Sequence, residues 1–135
     1  MKETPLSKAA VTAQKQAHAP YSTKFIGSAV LWNDGQITSG CNIENASYGA
    51  TVCAERVAIW KGISENNQRR IKEIFVVSPS LPPWPPCGMC RQVMSEFASA
   101  DTLVHWSDGK TLVKTKTFAE MLPETFEASF LEGGE

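Results

Sequence analysis

Ile71-Lys72-Glu73-Ile74-Phe75-Val76-Val77 is a nearly continuous apolar run with the length of one strand. A strand with one wet face alternates apolar and polar side chains, whereas a strand covered on both faces reads as this run does. A central strand is expected here. On its N-terminal side, Ala54 to Glu65 reads as a helix with Val57-Ala58-Ile59-Trp60 as its apolar stretch, and Arg69-Arg70 falls in the linker as solvated surface. On its C-terminal side, Ser78-Pro79-Ser80-Leu81-Pro82-Pro83-Trp84-Pro85-Pro86 carries five prolines in nine residues, which rules out ladder pairing and predicts a stiff loop.

That loop delivers Cys87-Gly88-Met89-Cys90 to the start of another helix, Arg91 to about Ala98, so both thiols sit near a helix N-terminus. Leu103 to Trp106 and Thr111 to Thr115 read as short strands about an Asp108-Gly109 turn. Thr117 to Leu122 reads as a short helix stopped by Pro123, and the Gly133-Gly134 tail as frayed. Towards the N-terminus, Phe25 to Trp32 and Ile37 to Ile43 form a hairpin turning at Asp34-Gly35. Ser7 to Ala17 reads as a first helix, capped by Ser7 and ended by Ala19-Pro20.

The 135 residues fit one compact domain, taken as 1–135. A net charge of −1 lacks the basic excess of a polynucleotide binder, so small substrates are favoured over a nucleic acid polymer. No apolar run approaches a membrane span, and Met1-Lys2-Glu3-Thr4-Pro5 lacks a secretory core, so the cytoplasm is the expected compartment. The four cysteines are spaced unevenly at Cys41, Cys53, Cys87 and Cys90, which fits metal binding better than a disulfide framework.

Chemistry gathers in Thr51-Val52-Cys53-Ala54-Glu55-Arg56. A helix beginning near Cys53 aims its N–H groups and positive dipole end at the sulfur and favours the thiolate that a metal needs. Glu55, rotated by roughly 200° from Cys53 on an ideal helix, is placed to meet substrate rather than share the metal. The plain alternative is a buried cysteine opening an amphipathic helix with a surface Glu-Arg pair. Cys87 and Cys90 supply the compact thiolate pair that zinc prefers, and Cys53 adds a third ligand, leaving a tetrahedral site open. Recruiting Cys41 would close the site into a structural knot, while His18 and His105 read as packing or surface residues. An open zinc site makes water acidic, and Glu55 would relay its protons to a ring nitrogen and a leaving amine, which is hydrolytic deamination. Three thiolates leave the centre with a formal charge of −1, which helix dipoles and Arg56 would offset. In the polar connection Asn42 to Ala50, Asn42 and Glu44 alternate at strand spacing and could meet sugar hydroxyls; a solvated loop with an Asx turn is the other reading.

Four motifs occur in order: Cys41-Asn42-Ile43-Glu44-Asn45-Ala46-Ser47-Tyr48, Thr51-Val52-Cys53-Ala54-Glu55-Arg56, Pro86-Cys87-Gly88-Met89-Cys90-Arg91-Gln92-Val93 and Leu122-Pro123-Glu124-Thr125-Phe126. With them the chain resembles the short-chain, homotetrameric zinc-dependent cytidine deaminases over about 19–126, and the second and third carry the zinc deaminase signature. The resemblance implies an α/β three-layer sandwich, a mixed five-stranded sheet with helices on both faces. It implies hydrolysis of cytidine and deoxycytidine to the uridines with release of ammonia, in pyrimidine salvage. It implies one zinc ion per chain on Cys53, Cys87 and Cys90, with Glu55 as proton shuttle. Asn42 and Glu44 would hold the ribose 3′-hydroxyl, the Ala54 N–H would contact the pyrimidine, and Arg56 and Gln92 would tune the thiolates. In a homotetramer with shared sites, Ala46 and Tyr48 would reach a 5′-hydroxyl across an interface and Phe126 would stack on a neighbour's base.

The departures concern substrate. With Tyr21-Ser22 and Gly27 as anchors, the family's usual aromatic falls on Lys24, with Phe25 one position later, and a one-residue shift flips the strand face. Either a bulge returns Phe25 to the pocket or Lys24 sits there. Ser28 stands where the family commonly has Ala, and Pro85-Pro86 where Ser-Pro is usual. Trp84 reads either as pocket wall or as subunit contact. The alternatives kept are the same chemistry on another cytosine nucleoside, such as a blasticidin-type antibiotic, and a non-catalytic zinc-stabilised binding module.

Overall fold

The computed structural model describes residues 1–132; the Gly133-Gly134 tail, expected to fray, lies outside them. Five strands, β1 (Gly27–Trp32), β2 (Ile37–Cys41), β3 (Ile71–Val77), β4 (Ala98–Ser107) and β5 (Val113–Thr117), form one sheet in the order β2-β1-β3-β4-β5. The expected central strand β3 is antiparallel to β1 and parallel to β4, with Phe75 opposite Ala29 on one side and His105 on the other. β1 and β2 form the expected hairpin, and β5 returns antiparallel to β4.

The near-continuous run in β3 follows from two separate cores. On one face, α1 (Pro5–Gln14) sets Leu6 and Ala10 against Ala29, Phe75 and Val77. On the other, α2 (Ala54–Glu65), α3 (Gly88–Ser95) and α4 (Phe118–Met121) bury Ala58, Ile59, Met94 and Phe118 against Val30, Trp32, Ile74, Val76, Val104 and Trp106. The layers are the expected three. Their contact is close enough to demand glycine: a Cβ on Gly40 would stand 2.7 Å from the Ala58 nitrogen of α2, and one on Gly27 would strike the Ala10 carbonyl of α1.

Three details depart from the sequence reading. Thr4, not Ser7, caps α1, with Ser7 as the reciprocal partner of a capping box. Helix α3 begins at Gly88 and ends at Ser95, so Cys87 is itself the N-cap and Ala98 already belongs to β4. Arg69, expected on the solvated surface, is only 9% exposed. Its guanidinium donates to Asp34 Oδ2 at 2.9 Å, Glu65 Oε1 at 3.0 Å and the Gly62 carbonyl at 3.0 Å, and lies over the Trp32 ring. It ties the β1–β2 turn to the end of α2, where the Gly62 carbonyl also accepts from the Asn66 N–H. Arg70 remains exposed and donates to the Glu96 carbonyl.

Candidate active site

Two helices begin at one place. Cys53 is the N-cap of α2, Cys87 is the N-cap of α3, and Cys90 follows in the first turn of α3, fully buried. Because neither N-cap cysteine bonds its own helix, its sulfur is free to face the other. The three sulfurs lie within 4.8 Å of one another, with Cys53 Sγ 3.9 Å from Cys87 Sγ. Tetrahedral zinc with Zn–S bonds of about 2.3 Å separates its sulfurs by about 3.8 Å, so the Cys53–Cys87 pair stands at the spacing zinc requires and Cys90 lies close by. Cys41 stands apart from this cluster, opposite Gly27 in the hairpin, and burial pushes its thiol up. Neither His18 nor His105 belongs to it: His105 joins Glu73 and Thr115 across the sheet, and the His18 backbone pairs with Asn42 and Glu44.

The thiols differ in protonation. Hydrogen bonding from the Cys90 thiol, aided by Arg56, lowers Cys53 to about 5 against the opposing effect of burial. Cys90 moves the other way, because it shares its proton with Cys53 and is desolvated. Arg56 Nη2 donates to Cys53 Sγ at 3.5 Å, while its Nε is buried without a partner among the described residues. Glu55 is 4% exposed. Burial raises its carboxyl, the Cys53 charge adds to the rise, and it stands at about 7. A carboxyl poised there can both take and give a proton at neutral pH.

A cavity of about 250 Å³ opens over the cluster, lined by Cys53, Ala54, Glu55 and Cys87 below and by Asn42, Glu44, Ile26, Val76, Ser78, Trp84 and Pro85 around it. Larger grooves elsewhere, among them one beside α1 and one beneath the C-terminal segment, do not reach the cluster. Asn42 and Glu44 build the rim largely by holding backbone. Asn42 accepts from the Ile26 N–H at 2.8 Å and donates to the Lys24 carbonyl at 2.7 Å. Glu44 Oε1 accepts from the Tyr21 and Ser22 N–H groups at 3.0 and 3.1 Å, and its Oε2 accepts from the Ser22 hydroxyl, which lowers its carboxyl. Asn42 keeps one lone pair and one N–H, and Glu44 keeps capacity on Oε2.

This bracing decides the question left open between Lys24 and Phe25: neither lines the cavity, and Ile26 does. Thr23 turns with φ 60°, Asn42 grips the peptides on either side of Phe25, and the Phe25 ring goes to an outer groove with Gln14 and Pro79. Ile26 was missed because its position depends on that turn; the buried Gly27 beside it was the available signal. Ser78 and Arg91 were missed as well. Ser78 ends β3 in the cavity wall, and Arg91 donates to the Pro86 carbonyl at 2.9 Å and to Met121 at 3.1 Å, bracing the cysteine loop.

The remaining expected residues lie outside this cavity. Ala46 and Tyr48 are exposed, with the Tyr48 ring edge-on to Tyr21. Phe126 is exposed and stacks on Phe130. Gln92, expected to tune the thiolates, instead donates to the Phe126 carbonyl at 2.9 Å and to Ser95. Two positions from Cys90 on one helix, it points away from the sulfurs.

Residues 1–106 match the family described as the cytidine and deoxycytidylate deaminase zinc-binding region. The chain is 46% identical over 123 residues to a cytidine deaminase of Halalkalibacterium halodurans, covering 91% of this chain and 92% of that one. It is 35% identical over 106 residues to a blasticidin-S deaminase of Bacillus cereus, covering 73% and 74%. Among solved structures, a Burkholderia pseudomallei cytidine deaminase superimposes with a TM-score of 0.85 at 37% identity, covering 93% of this chain and all of that one.

Proposed function

The chain belongs to the cytidine deaminase family, and from that premise we propose how its residues hydrolyse cytidine and deoxycytidine to the uridines with release of ammonia. The observation that carries the proposal is a buried carboxyl, Glu55, beside an open three-thiol cluster on the floor of a nucleoside-sized cavity. Cys53, Cys87 and Cys90 hold one zinc ion per chain. When bound, zinc supplies the Lewis acidity that makes water a competent nucleophile near neutral pH. Glu55 takes the proton of the attacking water and passes it to the ring nitrogen. It then carries the second proton to the leaving amine. The Ala54 N–H, at the start of α2, holds the base, and Arg56 offsets the thiolate charge. Asn42 and Glu44 use their remaining hydrogen-bonding capacity on the ribose 3′-hydroxyl.

Ala46, Tyr48 and Phe126 are exposed and do not line their own cavity, so they serve the reading only by acting on a neighbouring site. That supports a homotetramer with shared sites. The four cysteines are unpaired, as suits work on free nucleosides in a reducing cytoplasm. No described helix is long and apolar enough to cross a membrane.

The test is loss of the cytidine absorbance band on mixing zinc-assayed protein with cytidine and with deoxycytidine, alongside the solution mass. Conversion with about one zinc per chain is expected, at the mass of four chains. A second reading, deamination of a blasticidin-type nucleoside, draws on the Bacillus cereus relative; Lys24, which would have favoured it from within the pocket, does not line the cavity. That relative covers less of the chain, and faster turnover of the peptidyl nucleoside than of cytidine would favour this reading.

A further inference from the structure

We infer that Trp84 is the aromatic wall that a chain contributes to its own base pocket and sets how tightly cytosine rings are held there. The inference rests on the deaminase reading above. Beyond Cys53, Cys87, Glu55 and the Asn42/Glu44 rim, the apolar lining of the cavity includes Ile26, Val52, Val76, Trp84 and Pro85. Among these described residues Trp84 is the one aromatic side chain. A pyrimidine is a flat, polarisable ring, and aliphatic walls give it contact without the directional attraction that a second π-system provides. The two aromatics nearest in sequence to the rim do not supply one: Phe25 turns to the outer groove, and Tyr21 packs on Tyr48.

The Trp84 backbone is also held in place, so little ordering of the loop remains to be done on binding. Its main-chain N–H donates to Ser78 Oγ at 2.9 Å, and the Ser78 N–H donates to the Ser107 carbonyl at 2.9 Å, which anchors the loop to the end of the sheet. Pro83 and Pro86, on either side, are buried, and Arg91 holds the Pro86 carbonyl. The indole remains 43% exposed, so a large part of its surface is available to a ligand.

The experiment measures KM and kcat for cytidine, zinc content and solution mass in wild-type holoenzyme and in Trp84→Ala, Trp84→Leu and Trp84→Phe. Stacking on one aromatic ring corresponds to roughly 10- to 100-fold in binding. KM should rise by about that factor in the Ala and Leu variants, with kcat within about threefold of wild type, and Phe should restore most of it. Leu preserves bulk while removing the ring, so the Leu-to-Phe contrast decides the matter even if the Ala variant does not fold. Uridine, the product, should quench tryptophan emission in the wild type and lose most of that quenching in Trp84→Phe. A KM for Trp84→Leu within about twofold of wild type overturns the inference. So does a KM rise that tracks a fall in solution mass, which would make Trp84 a contact between copies. Wild-type zinc protein that fails to turn over cytidine removes the cytidine reading on which the inference rests, a result distinct from either.

Discussion

The two halves of the cavity are built in opposite ways. On the metal side, Cys53 and Cys87 cap their helices, and short stretches of chain place all three sulfurs. On the sugar side, Asn42 and Glu44 reach 16 to 23 residues along the chain to hold the backbone of Tyr21 to Ile26. In the first half each motif sets its thiols by the start of its own helix, and the two motifs meet across 34 residues of chain; the second half rests on hydrogen bonds that exist only once the hairpin and its preceding turn are assembled. A site of this kind can keep its chemistry while its sugar side is remodelled.

The strongest test of that separation is Glu55→Gln. It should lower kcat by several orders of magnitude while zinc content and KM stay near wild type; loss of zinc would make Glu55 part of the metal side's architecture. Next comes Cys90→Ser. Removing a buried sulfur from a three-thiol site should abolish stoichiometric zinc by elemental analysis and lower the melting temperature, because metal binding is linked to folding. Amide exchange at Tyr21 to Ile26 should be left unchanged. Asn42→Ala probes the other half: losing two partly buried hydrogen bonds should cost about 1–3 kcal/mol in denaturant unfolding and raise KM, with zinc retained. If zinc falls in step, the two halves are one. The smallest effect is expected at Ser28, whose hydroxyl is fully buried without a partner among the described residues. Ser28→Ala should stabilise the fold by about 1 kcal/mol and move neither zinc nor KM.

The same division explains what was legible beforehand. The central strand and the cysteine helices could be read because periodicity and short motifs are local: β3 and α2 begin and end where the sequence places them. The start of α3 was read late because Gly88 is a poor helix former, which hid that Cys87 caps it. The entry of Ile26 into the cavity was not legible. It turns on Thr23 adopting φ 60°, a conformation that a β-branched residue rarely takes unless its surroundings hold it there. Arg69 was misread for the same reason, since two of its three partners, Asp34 and the Gly62 carbonyl, come from distant or backbone groups. Side chains that serve distant backbone leave no periodic trace.

Arg69 carries one more consequence. Helix α2 is clamped like a beam at both ends, by the cysteine cluster at Cys53 and by the guanidinium rivet at Gly62. Stripping zinc releases only one support. The amides around Ile59 to Ile63 should stay slow to exchange while the first turn loosens, so a chelated sample should take up zinc again without refolding. The far clamp thus gives the protein a memory of where its metal belongs.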